Sequence, residues 1–165
     1  TALLWLYAAR GKRMSIWGNL LVAAVCALAF IYGGLAAGNA RLALFPALFG
    51  LLMHLAREIV KDVQDETGDR AANARTTAIA LGRPTSLRIA AFSLGLLFLV
   101  TPLPYIFHLY TIMYLIMVLG LVNTFLAWAV RALLSNPDDA RVARLSLLIK
   151  LDMAAGLAAI IVGLV

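Results

Sequence analysis

Five apolar runs, at residues 16–37, 42–56, 89–107, 109–130 and 145–165, leave this chain few ways to fold. A helix needs about 20 mostly apolar residues to cross the hydrocarbon of a bilayer, and four of the runs approach or exceed that length. Only 13% of the residues are charged and the mean hydropathy is +0.95, whereas soluble domains carry about a quarter charged residues. The expected fold class is therefore all-α: a polytopic transmembrane helical bundle, with residues 1–165 forming a single domain. The second run is short for a span, but it leads directly into a charged stretch, as a helix emerging from the membrane would. Pro46 is placed in its first turns, where a missing N–H does least harm.

The opening, "TALLWLYAAR", begins without Met inside an apolar run that ends at "RGKR". It lacks the charged flank, apolar centre and small-residue cleavage site, in that order, of a signal peptide. Residues 1–9 read as the end of a spanning helix that starts upstream. Lone Cys26 has no partner for an internal disulfide, and small-residue helix packing is its default role.

Basic residues test the span assignment independently, because short cytoplasmic loops collect Lys and Arg. Arg10, Lys12 and Arg13 precede the first full span. Arg57, Lys61, Arg70, Arg75, Arg83 and Arg88 fall between the second and third, and Arg131, Arg141 and Arg144 between the fourth and fifth. Twelve of the fourteen basic residues thus lie on one side. This pattern predicts five crossings and a cytoplasmic charged stretch. The net charge of +6 then needs no nucleic-acid partner, since anionic membrane lipids or an anionic substrate account for it.

The charged stretch, "REIVKDVQDETGDRAANARTT" at 57–77, holds five of the eight carboxylates. On one continuous helix, at about 100° per residue, Glu58, Asp62, Asp65 and Asp69 fall within an arc of roughly 60°. His54 extends the stripe toward the membrane, and Gly68 is a candidate end to the helix. A solvated helix end explains such a cluster too, because like charges at i, i+4 cost only about 0.2–0.5 kcal/mol per pair. Position at the end of a spanning helix favours a site. Oxygen-only donors suit a hard cation, and Mg²⁺ takes one or two carboxylates together with substrate phosphates. Asp62, Asp65 and Asp69 around Mg²⁺, with Arg57 and Lys61 beside them, would make a diphosphate site.

The stretch "REIVKDVQDETGDRAANARTTAIALG", with its Asp-x-x-Asp-x-x-x-Asp pattern, resembles the second aspartate-rich motif of the UbiA superfamily of intramembrane prenyltransferases. "LYAARGKRMSIWGNLLVA" is similar to the basic loop and helix upstream of that motif, and "LIKLDMAAGLAAIIVG" to the last helix. The resemblance implies nine spanning helices in the whole protein, of which five and the end of a sixth are present here. It also implies Mg²⁺ held by Asp62, Asp65 and Asp69, which act in catalysis on a prenyl diphosphate; by their positions Arg57, Lys61, Arg75 and Lys150 are the candidate contacts to that substrate. The family's first motif, Asn-Asp-x-x-Asp-x-x-x-Asp, does not occur in these residues, so the missing N-terminal helices are expected to supply it, and this stretch alone is expected to be inactive. The wording is closer to the branch that makes archaeal-type ether lipids than to hydroxybenzoate transferases. That branch implies a geranylgeranyl donor and a lipid-like acceptor, geranylgeranylglyceryl phosphate. Aromatic quinone precursors and haem remain alternative acceptors.

Two other classes compete. Membrane CDP-alcohol phosphotransferases also carry Asp-rich helices, but their Asp-Gly-x-x-Ala-Arg opening is absent. A transporter or scaffold with a cytoplasmic cation site would predict no prenyl transfer. Within the spans, Lys150 and Asp152 are two apart and do not share a face. Lys150 is weighed as a phosphate contact or a snorkelling side chain, and Asp152 as a partner of a polar group on another helix. Arg75, Thr76 and Thr77 read equally as an ordinary loop or as one that closes over the diphosphate. Asn19 and Asn123 read as interhelical hydrogen-bonding groups, and His54 as a packing residue.

Overall fold

The computed structural model describes residues 15–164. The helix tail expected at 1–9, and Arg10, Lys12 and Arg13, lie outside the described residues. Within them the chain forms helices and connecting turns. Helix α1 (Ile16–Ala36) is followed by a tight reversal through Gly38 at φ 72° and then α2 (Ala40–Gln64). Two short helices, α3 (Glu66–Ala71) and α4 (Thr77–Leu81), lead through Gly82 at φ 80° into α5 (Arg83–Val100) and α6 (Leu103–Ile106). Helix α7 (Ile112–Met117) passes through a π-helical turn (Val118–Val122) into α8 (Asn123–Leu134), and α9 (Asp139–Gly163) completes the chain.

Five segments are long and apolar enough to cross a membrane: Ile16–Ala36, Ala40–Gln64, Arg83–Ile106, Ile112–Leu134 and Asp139–Gly163. The expected count of spans is present, and the molecule is an all-α, multi-pass membrane bundle. Span ends differ from the hydropathy limits, most of all at Gln64 rather than 56, and by six residues at Arg83 rather than 89 and Asp139 rather than 145. The helices continue beyond the apolar stretch because their ends are stabilised by polar groups. Pro84 sits in the first turn of α5, and the Asp138 carboxylate accepts the Arg141 N–H (2.8 Å) at the start of α9.

α2 is the central element and packs against α1, α5 and α9. Its buried face (Leu52, Ala56, Ile59, Val60) meets Leu87 and Leu94 of α5, Leu126 of α8 and Ile149 of α9 in one apolar core. Close approach of α1 and α2 depends on Gly34, where an added Cβ would collide with the Ala43 Cβ.

Interhelical hydrogen bonds tie the helices where lipid offers none. Ser93 Oγ donates to Leu52 O at 2.8 Å. Thr101 Oγ1 donates to Asn123 Oδ1 at 2.8 Å, giving Asn123 the interhelical role expected of it. Tyr114 Oη donates to Thr101 O at 2.7 Å, so Thr101 contacts residues on both sides of the π turn. Pro46 corrects a detail of the sequence reading. With α2 starting at Ala40, it is the seventh residue of the helix, and Leu42 O loses its usual i+4 donor. Tyr110 Oη donates to that carbonyl at 3.4 Å.

Candidate active site

The acidic stretch is not one continuous helix. α2 ends at Gln64, Asp65 forms the junction, and α3 begins at Glu66. The break comes three residues before Gly68, the position the sequence marks for it. Backbone bonds still carry the chain round the junction: Asp65 N–H donates to Lys61 O (2.9 Å), and Asp69 N–H to Asp65 O (3.0 Å). The single arc expected for four carboxylates is therefore split, with Glu58 and Asp62 on α2, Asp65 at the corner and Asp69 on α3.

Asp62 is the most firmly held of the set. It is half-buried on the last turn of α2, and its Oδ2 accepts from Asn19 Nδ2 of α1 (2.7 Å) and from the Thr77 N–H at the start of α4 (3.0 Å). Asn19 Nδ2 also reaches Thr77 Oγ1 at 2.9 Å. Both neighbours are buried, at 8% and 0% exposure. Two donors on one oxygen fix the carboxylate plane and leave Oδ1 directed to other partners. The local folding reason is clear. The α3–α4 segment must return to α2, and the free N–H groups at the start of α4 need an acceptor that Asp62 supplies. Sequence reasoning read Asn19 as an interhelical hydrogen-bonding group, which it is, but did not place it in the site. Its part in the site depends on a contact 43 residues away in the chain.

The remaining candidates fall in different places. Asp65 is exposed at the corner, and Asp69 is half-buried on α3. Arg57 pairs with its neighbour Glu58, both partly buried, so its charge is already balanced. Lys61 and Arg75 are exposed at the same end of the bundle, and Arg75 O accepts the Ser15 N–H at 3.1 Å. Lys150 is exposed on α9 and makes no hydrogen bond or ion pair with the motif among the described residues.

Buried polar atoms without hydrogen-bond partners among the described residues are Ser15 Oγ, Thr76 Oγ1 and Asp152 Oδ2. The first two lie beside the motif, since Ser15 is tied to Arg75 and Thr76 precedes Thr77. Asp152, 5% exposed, lines a mainly apolar cavity with His54, Met53, Phe49, Phe30 and Gly156. The partner on another helix expected for its Oδ2 does not appear among the described residues. His54 lies eight residues before Asp62 on α2, so the cavity opens about 12 Å deeper in the bundle than the motif.

Among the described residues no three His, Cys, Asp or Glu side chains gather as a ready metal cage. A hard cation does not require one. Mg²⁺ keeps several waters and uses one or two carboxylates with substrate phosphates, and oriented Asp62, exposed Asp65 and two orphaned hydroxyls suit that kind of site.

The digeranylgeranylglyceryl phosphate synthase of Methanothermobacter thermautotrophicus is 34% identical over 148 residues, covering 90% of this chain and 52% of the relative. The same enzyme of Saccharolobus solfataricus is 34% identical over 160 residues, covering 95% and 55%. A solved structure, described as giving structural and mechanistic insight into the biosynthesis of digeranylgeranylglyceryl phosphate synthase in membranes, superposes with a TM-score of 0.92 at 32% identity. It covers 99% of this chain and 58% of that one. The chain thus spans about half the length of the curated relatives it matches. The profile of the UbiA prenyltransferase family matches residues 1–151, and the chain belongs to that family.

Proposed function

We propose that the full-length protein transfers a geranylgeranyl group from its diphosphate to a lipid-like acceptor, geranylgeranylglyceryl phosphate, to form an ether lipid. The observation that supports it most is where the Asp62, Asp65, Asp69 motif lies: within a chain that matches the synthase structure over 99% of its residues at 32% identity. In this reading the C–O bond to the diphosphate breaks with its electron pair leaving on phosphate. The acceptor hydroxyl oxygen bonds to the allylic carbon, and its proton passes to water.

Mg²⁺, when bound, would neutralise the diphosphate and so assist its departure. Asp62, Asp65 and Asp69 would hold it, with the first aspartate-rich motif, expected upstream, completing the site. Asn19 and Thr77 keep Asp62 in place. Lys61 and Arg75 would meet the diphosphate, and Arg57 would help only on release from Glu58. Lys150 is proposed to meet an acceptor phosphate only if upstream helices cover its exposed face. The apolar cavity below the motif suits the prenyl tail. The distribution of basic residues supports a cytoplasmic position for the motif.

The test is transfer by the full-length protein with labelled geranylgeranyl diphosphate and geranylgeranylglyceryl phosphate, with and without Mg²⁺. Asp65→Ala should abolish Mg²⁺-dependent product while leaving the protein folded, because Asp65 is exposed. Undiminished turnover would remove Asp65 from the site, and absence of any prenyl transfer by the unsubstituted protein would sink the proposal.

A further inference from the structure

Away from the motif, the ends of α8 and α9 enclose a second cleft of about 390 Å³. Its walls include Trp128, Arg131 and Ser135 from the end of α8, and Arg141, Arg144 and Leu145 from the start of α9. Spacings of three and four join Trp128, Arg131 and Ser135 on α8, and place Arg144 and Leu145 three and four residues after Arg141 on α9, so each set lies on one side of its helix. Three guanidinium groups therefore share one concave surface. We propose that this cleft binds the phosphate of an anionic membrane lipid.

Among the described residues no carboxylate forms an ion pair with the trio. Asp139 accepts from Arg83 Nη1 at 2.6 Å, and Arg83 Nη2 also donates to Pro137 O at 2.6 Å. Asp138 is engaged by the Arg141 backbone N–H. Among the described residues none of the three guanidiniums makes an ion pair, although Arg57, Arg70 and Arg83 each do. Three cations facing one cleft repel one another until an anion enters, and the planar guanidinium fork matches phosphate oxygens in bidentate fashion.

The position selects a lipid over free phosphate. The cleft lies at the ends of two spanning helices, and the Arg83 contacts to Pro137 and Asp139 fix it at the same end of the bundle as the motif. Trp128 is 47% exposed on the cleft wall, tilted against Phe125, and is an amphipathic ring suited to headgroup depth. Basic pockets between spanning helices near the interface hold anionic headgroups. α5 packs between α2 and α8, which separates this cleft from Asp62.

Native mass spectrometry of the full-length protein, delipidated and titrated with phosphatidylglycerol or phosphatidylcholine, reads occupancy directly and does not depend on prenyl transfer. We expect one tightly bound phosphatidylglycerol and no comparable phosphatidylcholine. Arg144→Gln should weaken phosphatidylglycerol roughly tenfold, the loss of one charge-assisted contact, whereas Arg88→Gln, which removes an equal charge from an exposed site at the same end, should change it less than about twofold. A combined Arg131→Lys, Arg141→Lys, Arg144→Lys variant keeps the charge that orients the helices, and should still lose affinity because Lys lacks the fork. Equal losses for Arg144→Gln and Arg88→Gln would overturn the site in favour of diffuse charge attraction. Displacement of the lipid by millimolar inorganic phosphate would overturn the choice of a lipid ligand.

Discussion

Replacing Asn19 by Ala removes the 2.7 Å donor to Asp62 Oδ2, while the Thr77 N–H still donates to that oxygen at 3.0 Å. A hydrogen bond to a charged group contributes about 1.5–3 kcal/mol. If the bond serves to orient the carboxylate in the transition state, a loss of that size lowers kcat by about 10- to 100-fold, at about 1.4 kcal/mol per tenfold. Asn19→Asp refines the test, because it keeps the shape but sets a second carboxylate against Asp62. Two like charges in contact repel, so this variant should be worse than Ala at pH 8. The assay is prenyl transfer by the full-length protein in nanodiscs, titrated with Mg²⁺ at pH 6, 7 and 8, with thermal unfolding measured in parallel. The expected order at pH 8 is Asn, then Ala, then Asp. An Asn19→Asp protein that matches the original at pH 8, in rate and in Mg²⁺ dependence, would refute the claim that this contact orients Asp62.

Two further outcomes concern the scaffold. Tyr110→Phe leaves Leu42 O without the donor that replaces the N–H missing at Pro46, and should cost about 0.5–1.5 kcal/mol of stability. In a Pro46→Ala background the helix regains its own donor, so the same substitution should cost measurably less in a double-mutant cycle. Gly34→Leu forces a side chain into Ala43 at the α1–α2 contact. It should destabilise by about 1–3 kcal/mol and lower the thermal midpoint, while Gly33→Leu, where an added Cβ meets nothing within 4 Å, should be tolerated.

Hydropathy made the number and order of spans legible because a bilayer-crossing helix must be apolar over its whole length, a condition read one residue at a time. Helix ends were harder. Arg83, Arg88 and Asp139 are charged yet helical, since backbone hydrogen bonding continues into the interface where hydropathy no longer reports it. The acidic motif was visible from composition and spacing. Its bend was not, because Gly68 marks flexibility whereas the break at Asp65 follows from the return of α4 onto Asp62. Asn19 could not be recognised from neighbouring residues at all. Its partners, Asp62 and Thr77, are 43 and 58 residues away, and only the packing of α1 on α2 brings them together. Lys150 and Asp152 show the same limit on a smaller scale. Both are charges within one apolar run, but one faces outward and the other into a cavity.

The π turn at Val118–Val122 is a matter of phase. Tyr114, Val118, Val122 and Leu126 are all buried, yet steps of four overshoot a full α-helical turn by about 40° each, or about 120° over three steps. A wider turn takes up part of that excess and keeps the stripe facing the bundle. It behaves as one inserted residue whose effect is confined to a single turn. Deleting Gly120 should then shift one half of the span by about 100° relative to the other. Thr101, which bonds to Tyr114 before the turn and Asn123 after it, could keep only one of those partners. Point substitutions along this helix alter what a position holds, whereas a deletion alters where every later position points.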